Sequence, residues 1–421
     1  MKSRFPRPRA LALALGFAAA AFGTAIDTAT DANAANAANA ADQPPVLVGF
    51  IIAQSGSPFA VTDPGRVAQI AARAVNDQGG IHGRKLVVEI CDTKGQPAAS
   101  LACARRLADE GAITLIGGSS ANGVDKILRA KNMAAWFPMG SDPSDVRNPL
   151  SFITALNAAG AAQGTYLGAK RFGAKRAVYV SMLGNKTYQQ TARFGYAQAG
   201  VSDVQIVEVP PATTDFAPYI AKIKALKPDV WGGMLYPPEQ QTLLVEAAAQ
   251  QGLTIPFVSS NNVIEDATIA ALSKAPFPNS LALEKGEDAK RFPTWAEYER
   301  QLAQYDPHHD VKGPTDGSTT TDWLAVWTFA QIARKLPSVT VDSFRNYVTN
   351  DKQFTTDVLH PIDFTAVAPV EGMPRQENIW AYAGHVQDGH EVVDDAVPYS
   401  AWQKTPVQAW SKQQIAEATG K

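Results

Sequence analysis

From residue 46 onward the chain repeats one beat: a short run of β-branched and aliphatic residues, a loop of small residues, then an amphipathic stretch at helical spacing, each unit taking roughly 30 residues. The β-rich runs fall at 46–53, 85–91, 112–117, 134–139, 177–182, 204–209, 229–235 and 256–259. Strands that alternate with helices cannot pair as hairpins, so this beat implies parallel sheets covered by helices on both faces.

The helices carry their own boundaries. Asp63-Pro64 opens one whose apolar face includes Val67, Ile70, Ala71 and Ala74, and Gly79-Gly80 closes it. Pro97 opens the next, and 215–226 sets Tyr219, Ile220, Ile223 and Leu226 on one stripe. A chain of 421 residues exceeds what one core holds, so two domains are expected. Half of the strands precede Phe152-Ile153-Thr154 and half follow. Beyond Pro276 the beat loosens into a helix expected at 322–336, after a Gly/Thr-rich loop, and a hairpin expected at 378–393 that turns at Gln387-Asp388-Gly389. This late material is expected to return and complete both domains.

The N-terminus places Lys2, Arg4, Arg7 and Arg9 ahead of an apolar run from Ala10 to Phe22 and small residues with Ala-x-Ala cleavage options, the pattern of a secretory signal peptide at 1–25. The run is too short for the roughly 20 residues of a spanning helix. The Ala/Asn/Asp-rich stretch that follows can bury little, so 26–44 is expected to be a flexible leader. The formal charge of −2 becomes −6 when the four basic residues of the leader are removed, and Lys and Arg form no dense patch with interleaved aromatics, which argues against a nucleic-acid partner. Export implies an oxidising compartment, in which Cys91 and Cys103 are expected to form a disulfide rather than remain a pair of buried thiols. No cysteine precedes Cys91 to take a lipid.

In open parallel sheets ligands bind beyond the carboxyl ends of the strands. Those ends read Ser55-Gly56-Ser57-Pro58-Phe59, Gly117-Gly118-Ser119-Ser120-Ala121-Asn122, Gly140-Ser141-Asp142-Pro143, Gly184-Asn185-Lys186-Thr187-Tyr188, Tyr236-Pro237-Pro238-Glu239 and Ser259-Ser260-Asn261-Asn262. Hydroxyls and bare N–H groups can hold a carboxylate or carbonyl, and Phe59, Tyr188 and Tyr236 can wall an apolar body. Any one such loop is as well explained as a turn or helix cap; six together favour a site. The same loops contain no GxSxG elbow, GxxxxGK[ST] phosphate loop or GxGxxG turn. His308-His309-Asp310 comes nearest to a metal cluster, but adjacent side chains diverge, and neither metal nor cofactor is expected.

These features resemble the type I periplasmic binding proteins, in particular the leucine/isoleucine/valine-binding branch of ABC-transporter receptors. The resemblance runs over 46–389. It is carried by Ser55-Gly56, by Val75-Asn76-Asp77-Gln78-Gly79-Gly80-Ile81-His82-Gly83-Arg84-Lys85-Leu86, which is similar to the family's INaxGGIxGxkl signature, by Cys91-Asp92-Thr93, Ile116-Gly117-Gly118-Ser119-Ser120 and Asp215-Phe216. It implies two doubly wound α/β lobes joined by a three-crossover hinge with the ligand in the cleft between them. Lobe 1 is then expected over 45–155 plus 283–361, lobe 2 over 156–282 plus 362–400, and a C-terminal tail over 401–421, with crossings near 154–156, 280–283 and 361–364.

By the same resemblance, Ser119, Ser120 and Ser141 hold the ligand's carboxylate, with Met139 and Gly140 supplying backbone groups, while Ser57 and Phe59 on the first lobe and Thr187, Tyr188 and Tyr236 on the second complete the site. Amino-acid-binding members place an acid just after the eighth strand to hold the ligand's ammonium, where this chain has Asn261 and Asn262. An amide supplies no counter-charge, so the expected solute is a carboxylate-bearing or neutral organic molecule, aromatic ones included, unless Asp142, Glu239 or Glu265 reaches the cleft. The expectation is a monomeric periplasmic receptor that hands its solute to the membrane permease of an ABC importer; an amino-acid receptor, a ligand sensor for a regulatory partner and a periplasmic enzyme are the alternatives.

Overall fold

The computed structural model describes residues 43–57, 60–118, 121, 123–140, 142–284, 293–351, 362–394, 399–402 and 408–409. The expected signal peptide, the leader up to residue 42, Phe59, Ser119, Ser120 and Ser141 lie outside the described residues. Within 45–421 two sheets form. The first contains β1 (Val46–Ile52), β2 (Leu86–Asp92), β3 (Leu115–Gly117), β4 (Ala135–Trp136) and β5 (Ser151–Phe152), all parallel in the order β2-β1-β3-β4-β5. The second repeats that order with β6 (Arg176–Met182), β7 (Asp203–Val209), β8 (Val230–Met234), β9 (Phe257–Ser260) and β10 (Asn279–Leu283), arranged β7-β6-β8-β9-β10. β11 (Ala366–Val367) pairs with β14 (Gln408–Ala409) outside both sheets, and the hairpin β12 (Tyr382–Gln387) and β13 (His390–Val393) adds an antiparallel edge to β10. Its turn is Asp388-Gly389, both at positive φ (51° and 84°), as a two-residue hairpin demands.

Twelve helices cover the sheets among the described residues: α1 (Asp63–Asp77), α2 (Pro97–Asp109), α3 (Val124–Ala130), α4 (Pro143–Val146), α5 (Asn157–Phe172), α6 (Lys186–Gln198), α7 (Ala217–Leu226), α8 (Pro238–Gln250), α9 (Asp266–Lys274), α10 (Pro293–Tyr305), α11 (Gly317–Ala333) and α12 (Val341–Asn350). The signature between α1 and β2 is a folding device. Gly80 has φ 71°, and a Cβ there would sit 2.1 Å from the Arg84 carbonyl oxygen, so only glycine lets Ile81 and Arg84 bridge. Asn76 donates to the Leu86 carbonyl at 2.9 Å and accepts the Leu86 N–H at 2.7 Å, pairing helix end to strand start as a neighbouring strand would.

Two strands are shorter than their sequence runs. The run at 134–139 yields only β4 because Pro138 has no N–H to continue a ladder and Gly140 N–H folds back onto the Phe137 carbonyl at 2.9 Å. That at 112–117 yields only Leu115–Gly117. Conversely, α11 begins five residues before the expected start, inside the Gly/Thr-rich stretch. There Thr320 and Thr321 are buried and turn their hydroxyls back onto the Asp316 and Gly317 carbonyls at 3.1 and 2.7 Å, which satisfies them without leaving the helix.

Each sheet has its own core. Phe50, Val67, Ile116 and Trp136 of the first pack with Trp323 and Phe329 of α11 and Phe344 of α12, so the late helices return to the first lobe. Val180, Ile220, Trp231 and Phe257 anchor the second. The chain leaves the first sheet after β5 and enters α5 at Asn157, so the first crossing lies at 153–156. Residues 280–283 are strand β10 itself, so the second crossing follows Leu283, and Ile362 and Phe364 belong to the first core, Phe364 standing edge-on to Phe152 at 5.0 Å. The third crossing therefore comes later than 361–364. It runs beside the first, where Ile153 N–H donates to Glu377 Oε2 at 2.6 Å and Gln376 Nε2 donates to the Ala155 carbonyl at 2.6 Å. Arg375 and Glu377 form a buried ion pair at 2.7 Å there, the guanidinium lying over the Phe152 ring. Glu284 links the second crossing to the first by accepting the Leu156 N–H at 2.8 Å. Ala401 and Trp402, assigned above to the tail, are buried, with Trp402 stacked on Phe194.

Helix α5 seats directly on β9. A Cβ at Gly164 would lie 2.2 Å from the Ser259 carbonyl oxygen and one at Gly168 2.1 Å from a Val258 methyl. The backbone carbonyl cannot swing aside, so Gly164→Ala is expected to lower the unfolding free energy by about 1 to 3 kcal/mol, measured by chemical denaturation. Cys91 and Cys103 are bonded, tying the end of β2 to α2 with their Cα atoms 5.7 Å apart. Replacing both by alanine is expected to cost about 3 kcal/mol in the same measurement, the chain-entropy value for so short a loop.

Candidate functional site

Both sheets reverse their winding at equivalent points, between β1 and β3 and between β6 and β8, and a crevice forms beyond the carboxyl ends of such strands. On the first lobe the loop after β1 is held by Asp92, which accepts the Gln54 N–H at 2.9 Å and the Ser55 hydroxyl at 2.6 Å. Partial burial pushes the Asp92 carboxyl up, but the bonds from Ser55, Lys94 and Gln54 outweigh it and hold the group at about 2. Asp142 folds back to accept the Ser144 N–H at 3.0 Å.

Between the lobes lies a cavity of about 470 Å³. Its first-lobe wall includes Met139 and the start of α11, Gly317 and Ser318; its second-lobe wall includes Met182, Asn185, Thr187, Tyr188, Met234, Tyr236, Asn262 and Glu265; Asn157 and Met373 close the hinge side. Of the residues expected from sequence, Met139, Thr187, Tyr188, Tyr236 and Asn262 come together here. Ser57, Gly140 and Asn261 do not line it. Ser57 packs against Gly95, where an added Cβ would meet its side chain at 2.7 Å. Gly140 offers its carbonyl to Asn157. Asn261 accepts the Glu284 N–H at 2.9 Å and so ties the end of β9 to the second crossing.

Sequence reasoning missed Asn157, which is fully buried with φ 42° at the first crossing. Its Nδ2 donates to the Gly140 carbonyl on the first lobe, its Oδ1 accepts the Tyr188 hydroxyl on the second, and its carbonyl accepts Asn262 Nδ2 at 3.1 Å. Nothing local signals such a role, since its partners lie 17, 31 and 105 positions away. Four of the chain's six methionines, Met139, Met182, Met234 and Met373, also line the cavity from separate elements.

The sequence expectation left the charge balance open to Asp142, Glu239 or Glu265 reaching the cleft, because β9 is followed by Asn261 and Asn262 rather than by an acid. Those residues form a 3₁₀ turn, Asn261–Val263, that carries the chain round to present Glu265 in the cavity wall. Burial, then Asp316, Glu239, Asp266 and Asp63, push the Glu265 carboxyl up to about 8. Burial of Tyr236 and the nearness of Glu265 raise its phenol to about 12. Among the described residues, no lysine, arginine or histidine lines the cavity. On α11, Asp322 is buried with Oδ1 lacking a hydrogen-bond partner among the described residues, and burial raises it to about 8.

Three carboxyls at about 8 in the folded state, those of Glu265, Asp322 and the buried Glu377 of the third crossing, against ordinary values near 4 in the unfolded chain, mean that the folded state binds more protons between those limits. Their contribution to stability is complete below about pH 4 and is lost as pH rises through about 8. The melting temperature of the ligand-free protein is therefore expected to fall between pH 5 and pH 8, and Asp322→Asn to flatten that fall and raise stability at the upper end, checked by differential scanning calorimetry across the range.

A family model described as periplasmic binding protein matches residues 45–374. The amino acid binding protein of Pseudomonas aeruginosa is 26% identical over 238 residues, 54% of this chain and 63% of that protein, so the chain spans less than two thirds of that relative. The Leu/Ile/Val-binding protein homolog 1 of Brucella abortus is 26% identical over 273 residues, 58% of this chain and 72% of the relative. Among solved structures, the branched-chain amino acid transporter substrate binding protein of Streptococcus pneumoniae in complex with isoleucine superposes with a TM-score of 0.67 at 17% identity, covering 85% of this chain and 99% of that one. An ABC-transporter solute binding protein from R. palustris in complex with benzoate gives 0.64 at 17% identity, covering 88% and 98%. The paired sheets of equal strand order, the crossings between them and a family match over most of the chain agree: this chain belongs to the periplasmic binding protein family, with the Leu/Ile/Val-type, type I fold.

Proposed function

We propose that the chain is the solute receptor of an ABC importer, acting as a monomer in the periplasm after export on its N-terminal leader and handing its cargo to a membrane permease. The observation that carries this reading is the cavity of about 470 Å³ between the lobes, beyond β6 and β8 at the switch point of the second sheet, with its walls contributed by both lobes. A volume of this size suits a small organic solute, and Met139, Met182, Met234, Tyr188 and Tyr236 suit a solute with an apolar or aromatic body. The relatives and structural neighbours, whose own names and ligands are amino acids in some cases and an aromatic acid in another, support the same class of cargo. Binding works by closure: the first lobe docks the solute, the second completes its burial, and the crossings bend.

The experiment is mass spectrometry of the small molecules released when the purified protein is denatured, followed by titration of the identified solute into the emptied protein. Added back at a hundredfold excess over its dissociation constant, the solute is expected to stabilise the fold by about 2.7 kcal/mol and to reduce the radius of gyration in solution scattering. A solute that binds without compaction would remove lobe closure from the mechanism.

A further inference from the structure

Resting on that receptor reading, and adding a modification site to it, we propose that Met139 and Met182 are sites of sulfoxidation by hydrogen peroxide, and that their oxidation stops the empty receptor from taking up its solute.

The argument begins with where sulfur is exposed. The chain's two cysteines are bonded to each other, so no thiol competes with its methionines for an oxidant. Five methionines fall among the described residues. Met133, Met234 and Met373 are buried, with 1%, 3% and 1% of their surface exposed. Met139 and Met182 are only partly buried, and both line the cavity, Met139 from the first lobe and Met182 from the second. The methionine surface that a water-borne oxidant reaches is thus concentrated where the solute goes.

The backbone holds both thioethers at that wall. Met182 ends β6 in register with Val209, and its carbonyl accepts the Asn185 N–H at 3.1 Å. Met139 is bracketed by fixed neighbours: the Pro138 carbonyl accepts the Ala155 N–H at 3.1 Å, and Gly140 donates its N–H to the Phe137 carbonyl at 2.9 Å and offers its own carbonyl to Asn157. A solute enclosed between the lobes covers both side chains from water, so the empty receptor is the form that is modified.

The chemistry is a two-electron oxygen transfer. The thioether sulfur attacks one oxygen of hydrogen peroxide, and an S–O bond forms as the O–O bond breaks. The departing hydroxide takes the proton left on the transferred oxygen and leaves as water. Sulfur is oxidised by two electrons, the peroxide is reduced by two, and no further reactant is needed. The sulfoxide oxygen is a strong hydrogen-bond acceptor in a wall that the thioether left apolar. An apolar body pressed against it strips away its water without returning a bond, which opposes loading.

The test follows the oxidation of the purified, emptied protein by hydrogen peroxide over time, each methionine being mapped by peptide mass spectrometry. Met139 and Met182 are expected to oxidise at least about tenfold faster than Met133, Met234 and Met373. Leucine, phenylalanine, benzoate and the small-molecule fraction released from the same preparation on denaturation are screened by thermal shift, and the strongest stabiliser serves as the probe. It is expected to slow oxidation at both positions together. Calorimetry, at a temperature where circular dichroism shows the oxidised protein folded, is expected to give roughly tenfold to a hundredfold weaker binding of the probe after oxidation. The double variant Met139→Leu, Met182→Leu stays apolar at similar volume and cannot be oxidised there, so its affinity, whatever its value, is expected to be the same before and after peroxide. The wild-type rates and affinities decide the inference without it. Equal rates at all five methionines, or an unchanged wild-type affinity once both positions are sulfoxides, overturns the inference and leaves the receptor reading standing. Stabilisation of the untreated protein by none of the probes overturns the receptor reading, and this inference with it.

Discussion

At the first crossing between the lobes, Asn157 adopts a left-handed backbone that few residues besides glycine take readily, and asparagine is among those few. From that one position it bonds a carbonyl of the first lobe, a phenol of the second and an amide of the turn after β9. It also starts α5, whose glycines press it onto β9. The Gly140 carbonyl, the Tyr188 phenol and the turn after β9 are thus registered against a single buried residue, the first two by its side chain and the third by its carbonyl. Loss of a buried polar hub of this kind leaves several groups unsatisfied together, which is why its effects exceed those of its individual bonds.

The crossings show a division of labour around that hub. Arg375 is buried among the Ser151 and Phe364 carbonyls and the Phe152 ring, all on the first-lobe side, while its ion-pair partner Glu377 accepts the N–H of Ile153. Glu284 performs the equivalent task from the second crossing, joining Leu156 and Asn261. A buried ion pair stabilises little over an apolar pair, but its directionality fixes which strands run side by side. A hinge needs that: two strands able to bend together without exchanging partners.

Much of the fold was legible because its signals are local. Alternating β-rich runs and helix openings such as Asp63-Pro64 are read within a dozen residues, and the segment Asn76 to Leu86 is closed by the pair of hydrogen bonds between its own two ends. Errors arose where tertiary contact overrides local preference. Gly317 to Thr321 is poor helix sequence, made helical by burial and by threonine hydroxyls that bond back along the helix. Ile362 and Phe364 look like a departing crossing but belong to the first core, Phe364 held edge-on by Trp136 and Phe152. The cavity was less legible still. Met139, Met182, Met234 and Met373 come from separate elements spread over 139–373, and only the tertiary fold brings them together. The absence of an acid at Asn261 was read correctly as a residue type, and Glu265, which the sequence left open as a substitute, reaches the cavity wall beyond a 3₁₀ turn.

The acid in the cavity wall does not stand alone: burial, then Asp316, Glu239, Asp266 and Asp63, raise the Glu265 carboxyl to about 8. Asp322, buried on the helix that supplies the first-lobe wall, with Oδ1 lacking a partner among the described residues, lowers the stability of the same region by the same physics. The chain tolerates these costs on one face of the cavity while Arg375, Glu377, Glu284 and Asn157 tie the crossings together on the other.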